Sequence, residues 1–356
     1  MTRLQSINIS ASKQAGARSD GVSLGFGQRG LTMVELLVAM VISLLIVLAA
    51  VGALTVTRRG FSTVDASSQL RDNVRFTTDL IQRLGIQSGY KDTPYAATPA
   101  PGNVAGIATN PDPNVTGFNN ALIDGTDPLN VATTRTTAVE GYGSDILILR
   151  YQTLETFPGS GVSDGSMIDC AGASPSAIPG GRYDRMVSII HVAVSRGEPS
   201  LMCSFSTTGA APFTTQPIVE GVENFQVLYG VEGVTAGVAP PASGASGLVA
   251  DESAPDRYLR ADQLTVAGDA LGTNANWRRV RSIRIGLVLR GPPNSSQDRA
   301  TQTFYPFGEA KSSSSGLKGS AMAATLDPGT AFTPAVDGRL RQTATFTVHL
   351  RNDQGL

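Results

Sequence analysis

A chain of 356 residues with a net charge of −1 and only 16% charged residues has no global electrostatic attraction for nucleic acid or an anionic surface. Its 41% apolar content is ample for a core, and the length suits one large or two small domains. Two histidines and two cysteines leave little for metal or nucleophile chemistry, while 39 glycines and 20 prolines against 6% aromatics point to many turns and short strands.

Residues 1–30 are polar and carry Arg3, Lys13, Arg18 and Arg29 against Asp20. A basic leader ahead of a membrane span is expected to stay in the cytoplasm, although Arg58 and Arg59 at the far end weaken that asymmetry. From 36 to 56 the chain is apolar apart from Ser43, Gly52 and Thr55, and no proline interrupts it. As a helix that stretch spans roughly 32 Å, enough for a bilayer core of about 30 Å. One ionisable group, Glu35, stands at its front edge. A carboxylate costs about 2.5–3.5 kcal/mol at mid-bilayer and less near the interface, so such a group has a job or a partner. A cleaved secretory signal would have an apolar run of about 7–15 residues; this one is longer and continues into a polar helix.

That helix is expected to run to about Gln87, because Leu70, Val74, Thr77, Ile81 and Leu84 recur at helical spacing with Arg71, Asp72, Arg75, Asp79 and Arg83 between them. Gly85 and Gly89 fit a helix stop. The stretch 90–143 is rich in Pro, Gly, Asn and Thr and reads as a long irregular connection with short strands at most. Asp112, Asp124 and Asp127 lie in turn-like contexts whose spacing matches no calcium-binding loop, so they read as turn formers rather than calcium ligands. Strand signals follow at 146–151, 186–194, 225–231, 283–289 and 345–351, most of them alternating apolar and polar residues. Such patterns bury one face and wet the other. The fold class is therefore α+β, with an antiparallel sheet laid on the amphipathic half of a long helix. The low-complexity stretches 236–247 and 311–320 are expected as loops.

Gly30-Leu31-Thr32-Met33-Val34-Glu35-Leu36-Leu37-Val38 resembles the processing site and N-terminal helix of type IV pilins and type II secretion pseudopilins. The resemblance implies cleavage between Gly30 and Leu31 by prepilin peptidase, N-methylation of Leu31, and a part for Glu35 in assembly through charge pairing. The family prefers Phe at the new N-terminus, and here it is Leu31. Val219-Glu220-Gly221-Val222-Glu223-Asn224-Phe225-Gln226-Val227-Leu228-Tyr229-Gly230-Val231 is similar to a block of PilW-type minor pilins. Arg257-Tyr258-Leu259 with Val280 to Leu289, and the ending from Arg339-Leu340-Arg341 to Arg351-Asn352, are similar too. The pilin-like layout this implies is a leader over 1–30, a transmembrane half of the helix over 31–57 and an amphipathic half over 58–89. An irregular connection over 90–143 and a β-rich head over 144–356 follow. Gly52 lies where pilin helices carry a proline or glycine that lets the helix melt locally in the filament.

The function implied is that of a non-enzymatic minor pilin, single-pass in the bacterial inner membrane with a periplasmic head, which primes pilus assembly and sits at or near the tip. Its expected partners are other minor pilins, the major pilin, prepilin peptidase, the inner-membrane assembly platform and membrane lipid, with no cofactor and no metal. A GspJ-like pseudopilin and a surface adhesin or DNA-binding module on a pilin stem are the alternatives. In an exported, oxidised head the lone cysteines Cys170 and Cys203 favour a disulfide over two free thiols. Closing that loop is worth roughly 3–4 kcal/mol in the chain-entropy model. His191 and His349 sit in expected strands without a nucleophile motif and read as structural or solvent-facing. Arg278, Arg279, Arg281, Arg284 and Arg290 form a basic cluster that lacks an aromatic stacking platform for DNA, so it reads as a solvated strand face.

Overall fold

The computed structural model describes residues 30–97, 110–206, 209–240, 254–310, 319–322 and 327–352. The leader up to residue 29 and the low-complexity stretches at 241–247 and 311–318 lie outside the described residues. The chain forms two compact units, Met1–Thr57 and Arg58–Leu356. The first is the opening part of helix α1, Met33–Gln87, and its apolar side chains are exposed throughout.

In the second unit α1 turns one seam inward. Ala66, Leu70, Thr77, Ile81 and Leu84 are buried, and Val74 and Leu80 pack partly against the same core. Each Leu or Ile so buried contributes about 1.5–3 kcal/mol. The helix ends because Gly89 takes a φ of +77°, and its N–H donates to Arg150 O at 2.8 Å, outside the helix. Gly85 has a different reason to be glycine: it is helical, and a Cβ there would lie 2.7 Å from Val348 Cγ1.

After the short helix α2 (Thr93–Ala97) come β1 (Val115–Phe118), β2 (Ala121–Ile123) and β3 (Ala132–Thr134), then β4 (Ile146–Tyr151) and β5 (Met186–Ser195). β6 (Glu198–Ser206), β7 (Thr214–Glu220), β8 (Val222–Val231) and β9 (Arg257–Leu259) follow. The chain closes with α3 (Ala261–Leu264), α4 (Ala270–Trp277), β10 (Val280–Arg290), β11 (Glu309–Ala310), β12 (Gly319–Ser320) and β13 (Arg341–His349).

The expected single sheet is two. One is five-stranded in the order β1-β4-β5-β6-β7, the other four-stranded in the order β13-β10-β8-β9, and every pairing described in both is antiparallel. The main core joins Leu70, Ile81 and Leu84 of α1 to Leu147 and Leu149 of β4, Phe225 and Val227 of β8, and Ile283 and Ile285 of β10. The expectation of one wet face fails for β8, which is buried on both, while β4, apolar on both faces in the sequence, is buried on both as well. The cause for β4 lies in the supposedly irregular connection. The β2–β3 ribbon brings Ala121, Ile123 and Ala132 against Ile146, Ile148, Val187 and Ile189, making a second core on the outer face. On β8 the polar alternates are covered by chain: Gln226 Nε2 donates to Gly143 O.

The two sheets meet at Asp145, whose buried carboxylate accepts the Asn120 N–H at 2.8 Å and the Val227 N–H at 2.7 Å. Burial pushes its carboxyl well above the usual range.

Candidate processing and assembly site

The helix start is chemically specific. Thr32 precedes the first helical residue, Met33, and the Glu35 N–H donates to Thr32 Oγ1 at 3.3 Å. In return the Thr32 N–H and hydroxyl donate to Glu35 Oε2 at 3.0 and 3.2 Å. This is a reciprocal capping box, which satisfies N–H groups that a helix start otherwise leaves open. It also puts the negative charge on the first turn, where the helix dipole favours it. Both Thr32 bonds fall on one carboxylate oxygen; among the described residues Glu35 Oε1 has no partner. Gly30 and Leu31 lie just outside the helix and are exposed, Leu31 with 77% of its surface accessible.

Behind Glu35 the helix surface is apolar in atoms as well as in residue names. Ser43, Thr55 and Thr57 donate their hydroxyls back to Ala39 O, Gly52 O and Ala53 O, each at 2.8 Å. These polar groups are thus satisfied within the helix, as a hydrocarbon environment demands. The helix is long and apolar enough to cross a membrane. Gly52 has no atom near its would-be Cβ, so packing within the chain does not require a glycine there.

The head carries the other singled-out residues. Cys170 and Cys203 are joined by a disulfide with Cα atoms 5.5 Å apart, tying the loop after β4 to β6. His191 is buried on β5 with Nε2 3.0 Å from Ser204 Oγ, and burial with the nearby Arg135 cation presses its pKa down to about 4. His349 is exposed at the end of β13. Asp124 accepts the N–H groups of Thr126 and Asp127 in a tight turn, Asp127 accepts from Asn130 Nδ2 at 3.1 Å, and Asp112 lies 3.5 Å from Arg150.

The five arginines expected to make one solvated face go separate ways. Arg278 donates to Asn110 Oδ1 and Pro111 O, Arg281 pairs with Glu232 at 3.2 Å, and Arg284 lies over the Tyr258 ring. Arg279 reaches towards Gly233 O. Arg290 enters a network that periodicity could not reveal. It pairs with Glu198 at 2.8 Å and Glu223 at 3.1 Å; Arg339 holds the other oxygen of Glu198 at 2.8 Å. Arg341 holds Glu223 at 2.6 Å and Asp337 at 2.8 Å. Three carboxylates and three guanidinium groups thus lock β6 to β8, β10 and β13. Burial raises Glu198 and Asp337, but the arginine hydrogen bonds outweigh it and leave both carboxyls below their ordinary range.

The capping box was missed in the sequence, although Thr32-Met33-Val34-Glu35 before an apolar run carries its signature. The comparisons bear on both ends of the chain. Residues 26–51 match the prokaryotic N-terminal methylation motif, and residues 190–352 match the type IV pilus-assembly protein W family. Among solved structures, a type IV-like pilin from Thermus thermophilus aligns at 14% identity with a TM-score of 0.37, covering 80% of this chain and 98% of that one. No curated protein matches. The chain thus joins a type IV pilin-like N-terminal methylation motif to a head whose second half is similar to the type IV pilus-assembly protein W family.

Proposed function

We propose that this pilus protein is a minor pilin that helps to prime filament assembly and sits at or near the pilus tip. In this reading prepilin peptidase cuts between Gly30 and Leu31, Leu31 is N-methylated, and the helix from Leu31 to about Thr57 anchors the chain in the inner membrane with the head in the periplasm. Its partners are other minor pilins, the major pilin and the assembly platform. The observation that carries the reading is the half-used carboxylate of Glu35 at the front of an apolar helix.

Cleavage would leave a cationic amine on Leu31, four residues before Glu35. In hydrocarbon either charge alone is costly. Oε2 is held by Thr32, whereas Oε1 is open to the amine of a neighbouring subunit, and one axial stagger alone would bring the two together. The match to a pilus-assembly family favours this over a secretion pseudopilin. The dispersal of Arg278, Arg279, Arg281, Arg284 and Arg290 removes the basic face that a DNA-binding reading would use.

The test is co-purification of tagged Glu35→Leu with partner pilins from membranes, with intact mass read on the same samples. Leader removal is expected to persist and the mature mass to begin at Leu31. Breaking one side of a buried pair costs about 3–5 kcal/mol, so partner recovery should fall at least tenfold. Thr32→Val, which removes the hydroxyl bond and leaves only the backbone N–H to hold Oε2, should fall between wild type and Glu35→Leu. Wild-type recovery by Glu35→Leu would refute the pairing, and a wild-type protein beginning before Leu31 would refute the processing.

A further inference from the structure

A cavity of about 370 Å³ opens beside β1, with α3 and α4 on its other side. Its wall includes Arg150, Asp112, Phe118, Leu129, Asp262 and Trp277. Arg150 is 3% exposed. Its Nη1 is used by Pro113 O at 2.9 Å and Thr116 Oγ1 at 3.0 Å. Among the described residues its Nη2 faces only Asp112, 3.5 Å away on a side chain that is 52% exposed. The other carboxylate on the wall, Asp262, is already held by Arg260 through two bonds of 2.9 Å.

Two more guanidinium groups stand close by. Arg185 immediately precedes β5, whose Val187 is registered opposite Arg150. It donates to Asn114 Oδ1 at 2.7 Å. Arg278 follows Trp277 and donates to Asn110 Oδ1 and Pro111 O. Neither has a carboxylate within ion-pair distance among the described residues, and the adjoining stretch 98–109 contains no Asp or Glu at all. Burial, and then the Arg150 and Arg278 cations, lower the Arg185 pKa to about 10, which still leaves it charged at neutral pH. Three cations therefore share one half-exposed carboxylate. Desolvated charge of one sign is costly until a counter-ion arrives.

We infer that this cavity is a binding site for an oxyanion, a carboxylate or a phosphate group, anchored by Arg150 and drawn in by Arg185 and Arg278. The planar guanidinium matches either oxyanion. Trp277 and Phe118 offer an apolar wall to whatever carries the charge. This goes beyond the assembly role and does not depend on it.

Trp277 is the chain's only tryptophan, so its fluorescence reports on this cavity directly. The full chain in zwitterionic nanodiscs is titrated with inorganic phosphate, acetate and phenylacetate, with sodium chloride at matched ionic strength as the reference. A saturable change with phosphate alone assigns the phosphate class. A change with phenylacetate stronger than with acetate assigns a carboxylate on an apolar carrier. In either case Arg185→Gln should weaken binding about three- to tenfold, and Asp112→Asn should tighten it about as much. A gain in affinity is a result that misfolding cannot mimic. No saturable change, a response that follows ionic strength alone, or binding unmoved by both substitutions overturns the site and leaves the three arginines as clamps on residues 110–114.

Discussion

Gly85→Ala sets two physical effects of opposite sign against each other. Alanine in a helix interior is favoured over glycine by about 1 kcal/mol. The new methyl carbon would lie 2.7 Å from Val348 Cγ1, 3.5 Å from Val348 Cβ and 3.7 Å from Ile283 Cδ1. Val348 is only 3% exposed, is stiff at χ1, and is registered opposite Ile283 in the ladder, so it has no free rotamer to retreat into. Overpacking of this kind costs about 1–3 kcal/mol. The clash should therefore win, with a net loss of roughly 1 kcal/mol and a fall in Tm of about 2–4 °C for a unit this large. Val348→Ala alone should also destabilise, by leaving a cavity. The double variant should lose less than the sum, because the methyl introduced at position 85 occupies the vacated space. Thermal unfolding of the four proteins, followed by Trp277 emission, completes the cycle. A more stable Gly85→Ala, or strict additivity in the double variant, would show that α1 does not seat on β13 as described.

The Cys170–Cys203 link should contribute about 3–4 kcal/mol; replacing both by Ala should lower the denaturation midpoint, and an unchanged midpoint under reductant would count against it. Two carboxyl classes give the pH profile its shape. Glu198 and Asp337 titrate below their ordinary values in the fold, so their contribution is complete above about pH 5 and disappears as pH falls through the lowered folded values. Asp327 runs the other way: burial, opposed by Arg260, raises it to about 6, so its own contribution grows as pH falls from about 7 towards 4, against the loss from His191, whose value of about 4 in the fold makes its protonation costly below about pH 6.5. Relative to wild type, the unfolding midpoint of Asp327→Asn should therefore fall more steeply between about pH 7 and pH 4; a constant difference between the two proteins across that window would contradict the assignment.

The helix and the long central strands were legible because their periodicities are plain. The seam of Leu70, Thr77, Ile81 and Leu84 is buried where its spacing put it, and α1 ends at Gln87. β6 left no such signal. Glu198 to Ser206 contains Pro199 and three serines, and both its faces are buried, so polar residues satisfied by partners replace alternation. β7 is an edge strand whose Pro217 argues against a strand in the sequence and is tolerated only because an edge leaves donors unpaired. The Arg–Glu network was hidden for another reason. Its members come from 198, 223, 290 and the short run 337–341, and contacts between segments so far apart carry no local pattern. The arginines of β10 were seen, but their partners were not, and without partners a buried ion network looks like a wet basic strand.

The N-terminal methylation motif was visible as a string of residue types; the capping geometry of Glu35 was not. A free glutamate side chain gives up as much as about 1.5–2 kcal/mol of rotamer entropy when it is fixed. In a subunit contact through one charge pair, that loss would fall on the association step. The capping box moves it to folding: Thr32 fixes Oε2 when the first turn forms, and Oε1 is then held at a set height on the helix. A contact made to a fixed oxygen selects one axial stagger, whereas a contact to a swinging carboxylate would accept several. In the proposed pairing Thr32 would contribute to register through Glu35 rather than by touching the neighbour.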